Sequence, residues 1–534
     1  MRLTSRRLPI AILAAAQFVM VLDSSVMNVS ISQIVADLDT TIQGVQLAIT
    51  AYTLVMAALM LAGAKLGDIL GRDRAFAIGL AIYGCGSLTT ALSPSLAVLL
   101  VGWSGVEGIG AALVMPAIVS LIAATYEGRE RALAFGVVGG VAGAAIAVGP
   151  LIGGWVTTEL SWRYVFAAET VVVVAILALR GALPVPARLA RRPRLDVVGV
   201  VLSAAGLAIA VFGILKASEW GWIVPRGALT VGGQEITPLG FSAVPFLVLA
   251  GGGLLVLFAR WEERRERRGE SPLLDRSLLR IRPLRAGLVT LTMQQFLLLG
   301  TFFVLPVYLQ TVLGFDAFET GKRLFPLSVT MVLAALAGPR LAVGFSPRRV
   351  VQAGLLVLVA AAALLVGTIE VELDNAPFAV ALALFGVGAG LLLSQLGNVI
   401  MSAAGERQVN EAGGLQGTAQ NLGASLGTAV IGSILIAALT SGFVAKVERS
   451  ETLPQSARTQ LTARAEQGIP IVPVAQVEQA ARAEGLTEAQ AAEAADHYGD
   501  AQLEALRLAL GAVALTALMS LGGTRGLPGS SGET

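Results

Sequence analysis

The chain has 534 residues, 55% of them hydrophobic and only 14% charged, a balance that excludes a soluble globular protein of this size and points to a polytopic membrane protein. The net charge of +2 gives no reason to expect a nucleic-acid partner. A single cysteine, Cys85, and a single histidine, His497, exclude a disulfide frame, a thiolate metal site and most histidine chemistry.

Apolar runs of about 18 residues or more predict fourteen membrane spans. They lie near 8–31, 44–65, 74–93, 96–123, 132–155, 163–181, 197–217, 241–260, 286–312, 323–343, 349–369, 377–402, 413–440 and 502–522. The basic start MRLTSRRLPI has no small-residue cleavage site and reads as the head of the first span, not as a signal peptide. With both termini cytoplasmic, most Lys and Arg fall on the inner side, heaviest in Arg188–Arg194 and Arg260–Arg285. Two outer segments are long. Ser218–Gly240 carries EWGW and a Gly/Pro-rich excursion. Residues 441–501 are net acidic, rich in Ala, Gln and Glu, and hold Pro470 and Pro473. Thr487 and Gln490 form a T-x-x-Q capping box there, which predicts a small external helical hairpin running into the last span. A solvated linker is the alternative.

Between the second and third spans stands GAKLGDILGRDR, Gly63–Arg74. It places Gly67, Asp68, Gly71 and Arg72 in a charged turn beside hydrocarbon, where charge must be paired or reach the interface. This turn resembles the signature turn after the second helix of the major facilitator superfamily of transporters. VLDSSVMNVS (Val21–Ser30) is similar to the first helix of its drug-exporting branches. GVVGGVAGAAIAVGPLIGGW (Gly136–Trp155) resembles the antiporter motif, with Gly149, Pro150, Gly153 and Gly154 at its end. Small residues at such spacings let helices touch backbone to backbone, and Pro150 gives a pivot. SWRYVF (Ser161–Phe166) looks like the start of helix six, and SPLLDRSLLRIRPLRAG, LPVYLQTVLGF and GGLQGTAQNLGASLGTAVIGS resemble segments of the fourteen-helix drug:proton antiporters. The resemblance implies an all-α fold of two six-helix bundles plus two inserted helices. The corresponding division is 1–182 for the first bundle, 183–270 for the extra helices and linkers, and 271–534 for the second bundle with the 441–501 loop.

The chain departs from that pattern in four places. In helix four, Ser104 stands where an Arg is expected and Glu107 where a Gln is expected. After SWRYVF comes AAET, with Glu169. The second-half copy of the turn, Gly338–Arg349, has Val343 in place of its Asp. The loop before the last helix is unusually long.

Three acids, Asp23, Glu107 and Glu169, fall within spans. A charge at the bilayer centre costs roughly 2.5–3.5 kcal/mol on insertion scales, so such acids face an aqueous cavity or a partner. Desolvation makes a carboxyl hold its proton more readily, which is what a proton carrier needs. Each has a structural alternative: Asp23 bonding Asn28 or a backbone group, Glu107 as a packing acid, and Glu169 pairing with Arg163 two turns away. The second half offers amides at Gln294, Gln295, Gln310, Gln395, Asn398, Gln420 and Asn421, of which Gln294, Gln395, Asn398 and Asn421 are taken as cavity residues. Helix glue is the competing role. Phe296, Phe302, Phe303 and Tyr308 offer aromatic faces for a cation.

The sequence holds no P-loop, metal-ligand spacing or nucleophile elbow. The expectation is therefore a transporter without cofactor or metal, not an enzyme. H⁺ is preferred to Na⁺ because the acids look isolated in the sequence. The reading is a monomeric, multi-pass efflux antiporter of the cell membrane, exchanging protons for a lipophilic, cationic small molecule within membrane lipid. The loss of the family's Arg and the gain of an acid favour cations. Export of an endogenous lipid or secondary metabolite is the alternative, and a non-transporting receptor or scaffold a more distant one.

Overall fold

The computed structural model describes residues 2–126, 128–183, 195–225, 229–231, 234–270, 272–404, 408–466 and 469–529. The first half comprises α1 (Arg2–Val29), α2 (Ile31–Asp37), α3 (Ile42–Leu70), α4 (Arg72–Ala91), the short α5 (Leu96–Leu99), α6 (Gly108–Thr125), α7 (Gly128–Glu159) and α8 (Arg163–Leu179). A π-helical segment, Leu100–Glu107, joins α5 to α6. Next come α9 (Val197–Leu215), α10 (Ala217–Trp220) and α11 (Ala243–Arg267). The second half holds α12 (Arg276–Arg280), α13 (Arg282–Val307), α14 (Ala317–Gly344), α15 (Pro347–Gly367), α16 (Asn375–Ala403), α17 (Val409–Arg449), α18 (Gln455–Glu466), α19 (Val474–Ala483) and α20 (Glu488–Gly523).

Twelve helices among the described residues are long and apolar enough to cross a membrane. The third and tenth expected spans correspond to α4 and α14, helices of 20 and 28 residues that stand outside those twelve. Between α10 and α11 a two-stranded antiparallel hairpin, unforeseen in the sequence, pairs Leu229 with Ile236 and Val231 with Gln234. The Arg188–Arg194 cluster lies outside the described residues.

In hydrocarbon, apolar burial does not drive helices together, and close packing of small residues takes its place. The glycines of α7 show this directly. A Cβ on Gly149 would stand 2.4 Å from the Cβ of Ser25 on α1, and one on Gly154 would stand 2.4 Å from the Ala317 carbonyl of α14. From the other side, a Cβ on Gly321 would stand 2.1 Å from the Pro150 carbonyl. The antiparallel pair α9 and α11 meets in the same way at Gly206 and Gly251, and Ser433 of α17 donates to the Ile214 carbonyl of α9 at 3.0 Å.

The two halves are stitched together on the face opposite the Gly63–Arg74 turn. Gln310 Nε2 donates to the Val29 carbonyl at 2.8 Å while its Oε1 accepts from Ser32 N at 3.1 Å. Gln46 Nε2 donates to the Thr428 carbonyl at 2.9 Å, and Ser425 Oγ to the Thr50 carbonyl at 3.1 Å. Gln310 therefore joins helices and does not line a cavity. Along α7 toward the turn face the seam loosens, and nothing lies within 4 Å of a Cβ built on Gly136, Gly139 or Gly140.

The long segment before the last helix is ordered as a hairpin on the opposite face. α17 runs for 41 residues, α18 and α19 fold back, and the Thr487–Gln490 capping box opens α20. Tyr498 Oη ties the hairpin by donating to the Pro470 carbonyl and accepting from Val472 N, both at 2.9 Å. Gln43 of α3 reaches the Ile469 carbonyl at 3.1 Å, so the hairpin also touches the first half.

Gly154→Leu should destabilise the protein by about 1–3 kcal/mol through overpacking at the α7–α14 crossing. Gly140→Leu on the same helix should leave the thermal midpoint in detergent unchanged, and equal midpoints for the two variants would refute this account of the seam.

Candidate functional site

The three intramembrane acids, far apart in sequence, meet. Asp23, Glu107 and Glu169 are each at most 2% exposed, and one carboxylate oxygen from each lies within 4.8 Å of the other two. The helix pattern explains why. On α4, Tyr83, Gly86, Ser87 and Thr90 fall on one face at i, i+3, i+4 and i+7 spacing. Gly86 leaves room for Glu107, since a Cβ there would stand 2.4 Å from the Glu107 amide nitrogen. Tyr83 Oη and Ser87 Oγ donate to Glu169 Oε2 at 3.3 and 3.2 Å.

The π-helical stretch Leu100–Glu107 turns Trp103, Ser104 and Glu107 into the interior. Trp103 Nε1 donates to both oxygens of Asp23, at 2.8 and 3.0 Å. Tyr52 stacks on the Trp103 ring with centroids 4.7 Å apart and planes 5° from parallel. Ser104, at the position where the family places an Arg, donates to the Ala48 carbonyl of α3 at 2.8 Å. Neither oxygen of Glu107 has a hydrogen-bond partner, nor has Glu169 Oε1, and no salt bridge reaches any of the three acids among the described residues. Such π segments are common where helices carry functional side chains.

Two pairings raised by the sequence, Glu169 with Arg163 and Asp23 with Asn28, are not formed. Arg163 pairs with Asp37 at 2.8 Å, not with Glu169, and lies over the Trp162 ring at 4.5 Å. Trp162 Nε1 also donates to Asp37, at 3.0 Å, so SWRYVF anchors the start of α8 to α2. Asn28 donates to the Ser24 carbonyl, not to Asp23. The argument for H⁺ over Na⁺ from isolated acids falls as well, because the acids are clustered.

A central cavity of about 410 Å³ lies between the halves. Its first-half wall includes Gln17, Asn28, Thr53 and the methionines Met20 and Met56, and its second-half wall Gln294, Gln295, Phe302, Gln420 and Asn421. Tyr52 and Trp103 line it, whereas none of the three acids does. The acid cluster thus sits behind an aromatic partition. Of the four amides taken as cavity residues, Gln294 and Asn421 line the space, though Gln294 Nε2 also donates to the Ala389 carbonyl at 2.9 Å and so joins α13 to α16. Gln395 instead donates to the Gly338 carbonyl at 3.1 Å and joins α16 to α14, and Asn398 is exposed outside the cavity. Phe302 alone of the named aromatics faces it. Phe303 and Tyr308 are fully buried, Tyr308 donating to the Glu370 carbonyl at 2.6 Å. Sequence reasoning missed Gln17 and the methionines. Their only signal was a polar or flexible side chain inside an apolar run.

At the Gly63–Arg74 turn, Gly71 has φ +102°, a left-handed conformation that suits glycine. Arg72 Nη1 donates to the Ser120 carbonyl at the end of α6, at 3.1 Å. Lys65 and Asp68 at the end of α3 act electrostatically on Glu411 of α17 and share its neighbourhood with Asp275. Gln408 Nε2 donates to Asp275 Oδ2 at 2.7 Å. Charges from the second half therefore stand at this turn. The side chain of Val343, in α14, is outside the described residues.

Two helical halves around one internal cavity, built from helices of membrane-spanning length and apolarity, define a multi-pass membrane protein of the transporter class. Residues 13–428 match the model of the Major Facilitator Superfamily. The chain is 31% identical over 435 residues to the tetracenomycin C resistance and export protein of Streptomyces glaucescens, covering 81% of this chain and 77% of that one. It is 31% identical over 433 residues to a puromycin resistance protein of Streptomyces alboniger, covering 80% and 81%. Among solved structures, a bacterial homologue of the human lysosomal transporter Spinster shares the fold with a TM-score of 0.59 at 15% identity, over 98% of each chain. The chain belongs to the major facilitator superfamily, and is a transporter, not an enzyme.

Trp103→Phe keeps the ring stack but removes the N–H that bonds Asp23. It should cost about 1–3 kcal/mol more in the otherwise native protein than in an Asp23→Leu background, where only the packing loss of the smaller ring remains. Equal losses in the two backgrounds, read by thermal unfolding, would show that the indole does not serve Asp23.

Proposed function

We propose that this protein exports lipophilic, cationic compounds in exchange for protons, with the cluster of Asp23, Glu107 and Glu169 as the proton-carrying site. The single observation that carries the reading is the meeting of three buried carboxylates with no basic partner among the described residues. Two unit charges 4.8 Å apart repel by about 3.5 kcal/mol at an effective dielectric of about 20. Three such charges in an apolar interior require neutralisation by a proton or a cationic solute. Exclusive binding of one or the other is the requirement for antiport. The relatives are named for resistance and export, which supports efflux. Those names also concern natural products, so export of a secondary metabolite or lipid is retained as the second reading.

The remaining assignments belong to the same proposal. α4 and α14 cross the membrane with the twelve, making fourteen spans. The chain divides at 1–182, 183–270 and 271–534, with the pair α9 and α11 between two six-helix bundles. The protein lies in the cell membrane with the turn face and both termini cytoplasmic, in line with the basic residues of Arg260–Arg285. In that orientation the stitched face is external, and the loosened seam faces the cytoplasm, where a substrate for export is loaded. Gln294 and Asn421 contact that substrate. Gly149, Pro150, Gly153 and Gly154 form the external pivot. Gly67, Asp68, Gly71 and Arg72 form the cytoplasmic latch, which the Arg72–Ser120 bond and the nearby Glu411 support.

Two measurements test this. In proteoliposomes with an imposed pH gradient, Glu107→Gln should abolish proton-driven efflux of a cationic dye, and full retention of coupled transport would overturn the assignment. Arg72→Ala should lower the transport rate by about tenfold or more while substrate Kd stays within about threefold. A loss of binding with an unchanged rate would remove the latch.

A further inference from the structure

A second hollow, of about 740 Å³, lies between α1, α7 and α8, away from the central cavity. Its walls are almost wholly aliphatic, with Phe18 and Tyr164 the aromatic members, and its one charged residue is Glu169. It follows α1 from Ala11 to Leu22, a run of about 16 Å at 1.5 Å per residue. Glu169 is 2% exposed and its Oε1 has no hydrogen-bond partner, while Oε2 is held by Tyr83 and Ser87. Glu169 therefore faces two ways: it lines this groove, and it belongs to the cluster with Asp23 and Glu107. Tyr52 and Trp103, stacked on each other, line the central cavity, and Trp103 bonds Asp23 of the cluster on its other side.

We propose that this groove is a lateral site for a single-chain cationic amphiphile, its alkyl chain along α1 and its ammonium group on Glu169. Charge and shape argue for that occupant together. An aliphatic groove that runs about 16 Å along α1 matches an extended alkyl chain, and a carboxylate with an unsatisfied oxygen matches an N–H⁺ donor. An alcohol or a bare hydrocarbon carries no charge that could take the proton's place on the acid, and an anionic headgroup would oppose the release of that proton. The proposal rests on the reading of the cluster as an exchange site. As R–NH₃⁺ pairs with Glu169, the neutral carboxyl gives up its proton to water and becomes the carboxylate, so the net charge of the site is unchanged. An amine amphiphile thereby reaches the acids from the bilayer, on the side away from the aromatic partition, by a route separate from cytoplasmic loading of the central cavity.

The test is calorimetric titration of dodecylamine and dodecanol into the full-length protein in nanodiscs, without a pH gradient, with empty nanodiscs as the blank. Dodecylamine should bind at least about tenfold more tightly than dodecanol, with proton release seen as a dependence of the heat on buffer ionisation enthalpy. Glu169→Gln should abolish the difference between the two ligands. Ala168→Phe places a ring at an exposed position on the groove wall. It should weaken dodecylamine by about tenfold with an unchanged melting temperature, while Gln420→Ala in the central cavity should leave binding intact. Equal affinity for amine and alcohol would overturn the proposal, leaving a groove filled by lipid alone. So would retained affinity in Ala168→Phe with loss in Gln420→Ala, which would place the amine in the central cavity. Because no gradient is applied, a failure of Glu107-dependent coupling would be a separate result.

Discussion

Three carboxyl groups share one apolar interior, with no basic side chain among the described residues to answer them, and much of the first half is arranged around that constraint. α4 supplies a glycine where Glu107 must enter and hydroxyls where Glu169 must be held. The π-helical stretch before α6 delivers Glu107 and the indole that bonds Asp23. The anchoring of Trp162 and Arg163 on Asp37 holds the start of α8, and with it the approach of Glu169 to α4. A buried acid that is only partly satisfied is costly, and it persists where the surrounding structure holds it and a function uses it.

The scaffold can hold such a cluster because its helices approach without relying on apolar burial. Glycines and hydroxyls at the crossings bring backbones together, and amides bridge the halves on one face. That seam is tight opposite the Gly63–Arg74 turn and loosens toward it along α7. The asymmetry matters for function because a transporter alternates which end is sealed. It also separates two kinds of polar residue. Gln310, Gln46 and Gln395 spend their amides on backbone carbonyls of neighbouring helices, whereas Gln295, Gln420 and Asn421 line the cavity.

Much of the site was legible residue by residue. An acid within a membrane span is conspicuous because its cost is high wherever it stands, so Asp23, Glu107 and Glu169 could all be named in advance. Their association could not be. Separations of 84 and 62 positions in sequence (107 − 23 and 169 − 107) say nothing about distance once three helices cross, and apparent isolation along the chain led to a wrong argument about the coupling ion. The amides were less legible still. An amide costs a similar amount whether it faces a neighbouring backbone or a cavity, so Gln395 and Gln420 look alike until the rotation of each helix is known.

The sequence alone determined the class: an apolar composition, a series of long hydrophobic runs, a glycine turn with its charges, and small residues at the end of α7. These follow from local chemistry, since each run and each turn carries its own solvation cost. Only the tertiary structure decided which side chains share a space. It brought three acids to one point, set an aromatic partition between them and the central cavity, and gave Glu169 a second face on a lateral groove. The reason is that helix rotation and crossing depth are set by packing against neighbours, and a one-dimensional pattern of hydrophobicity records only how much of a helix is apolar, not which partner each face meets.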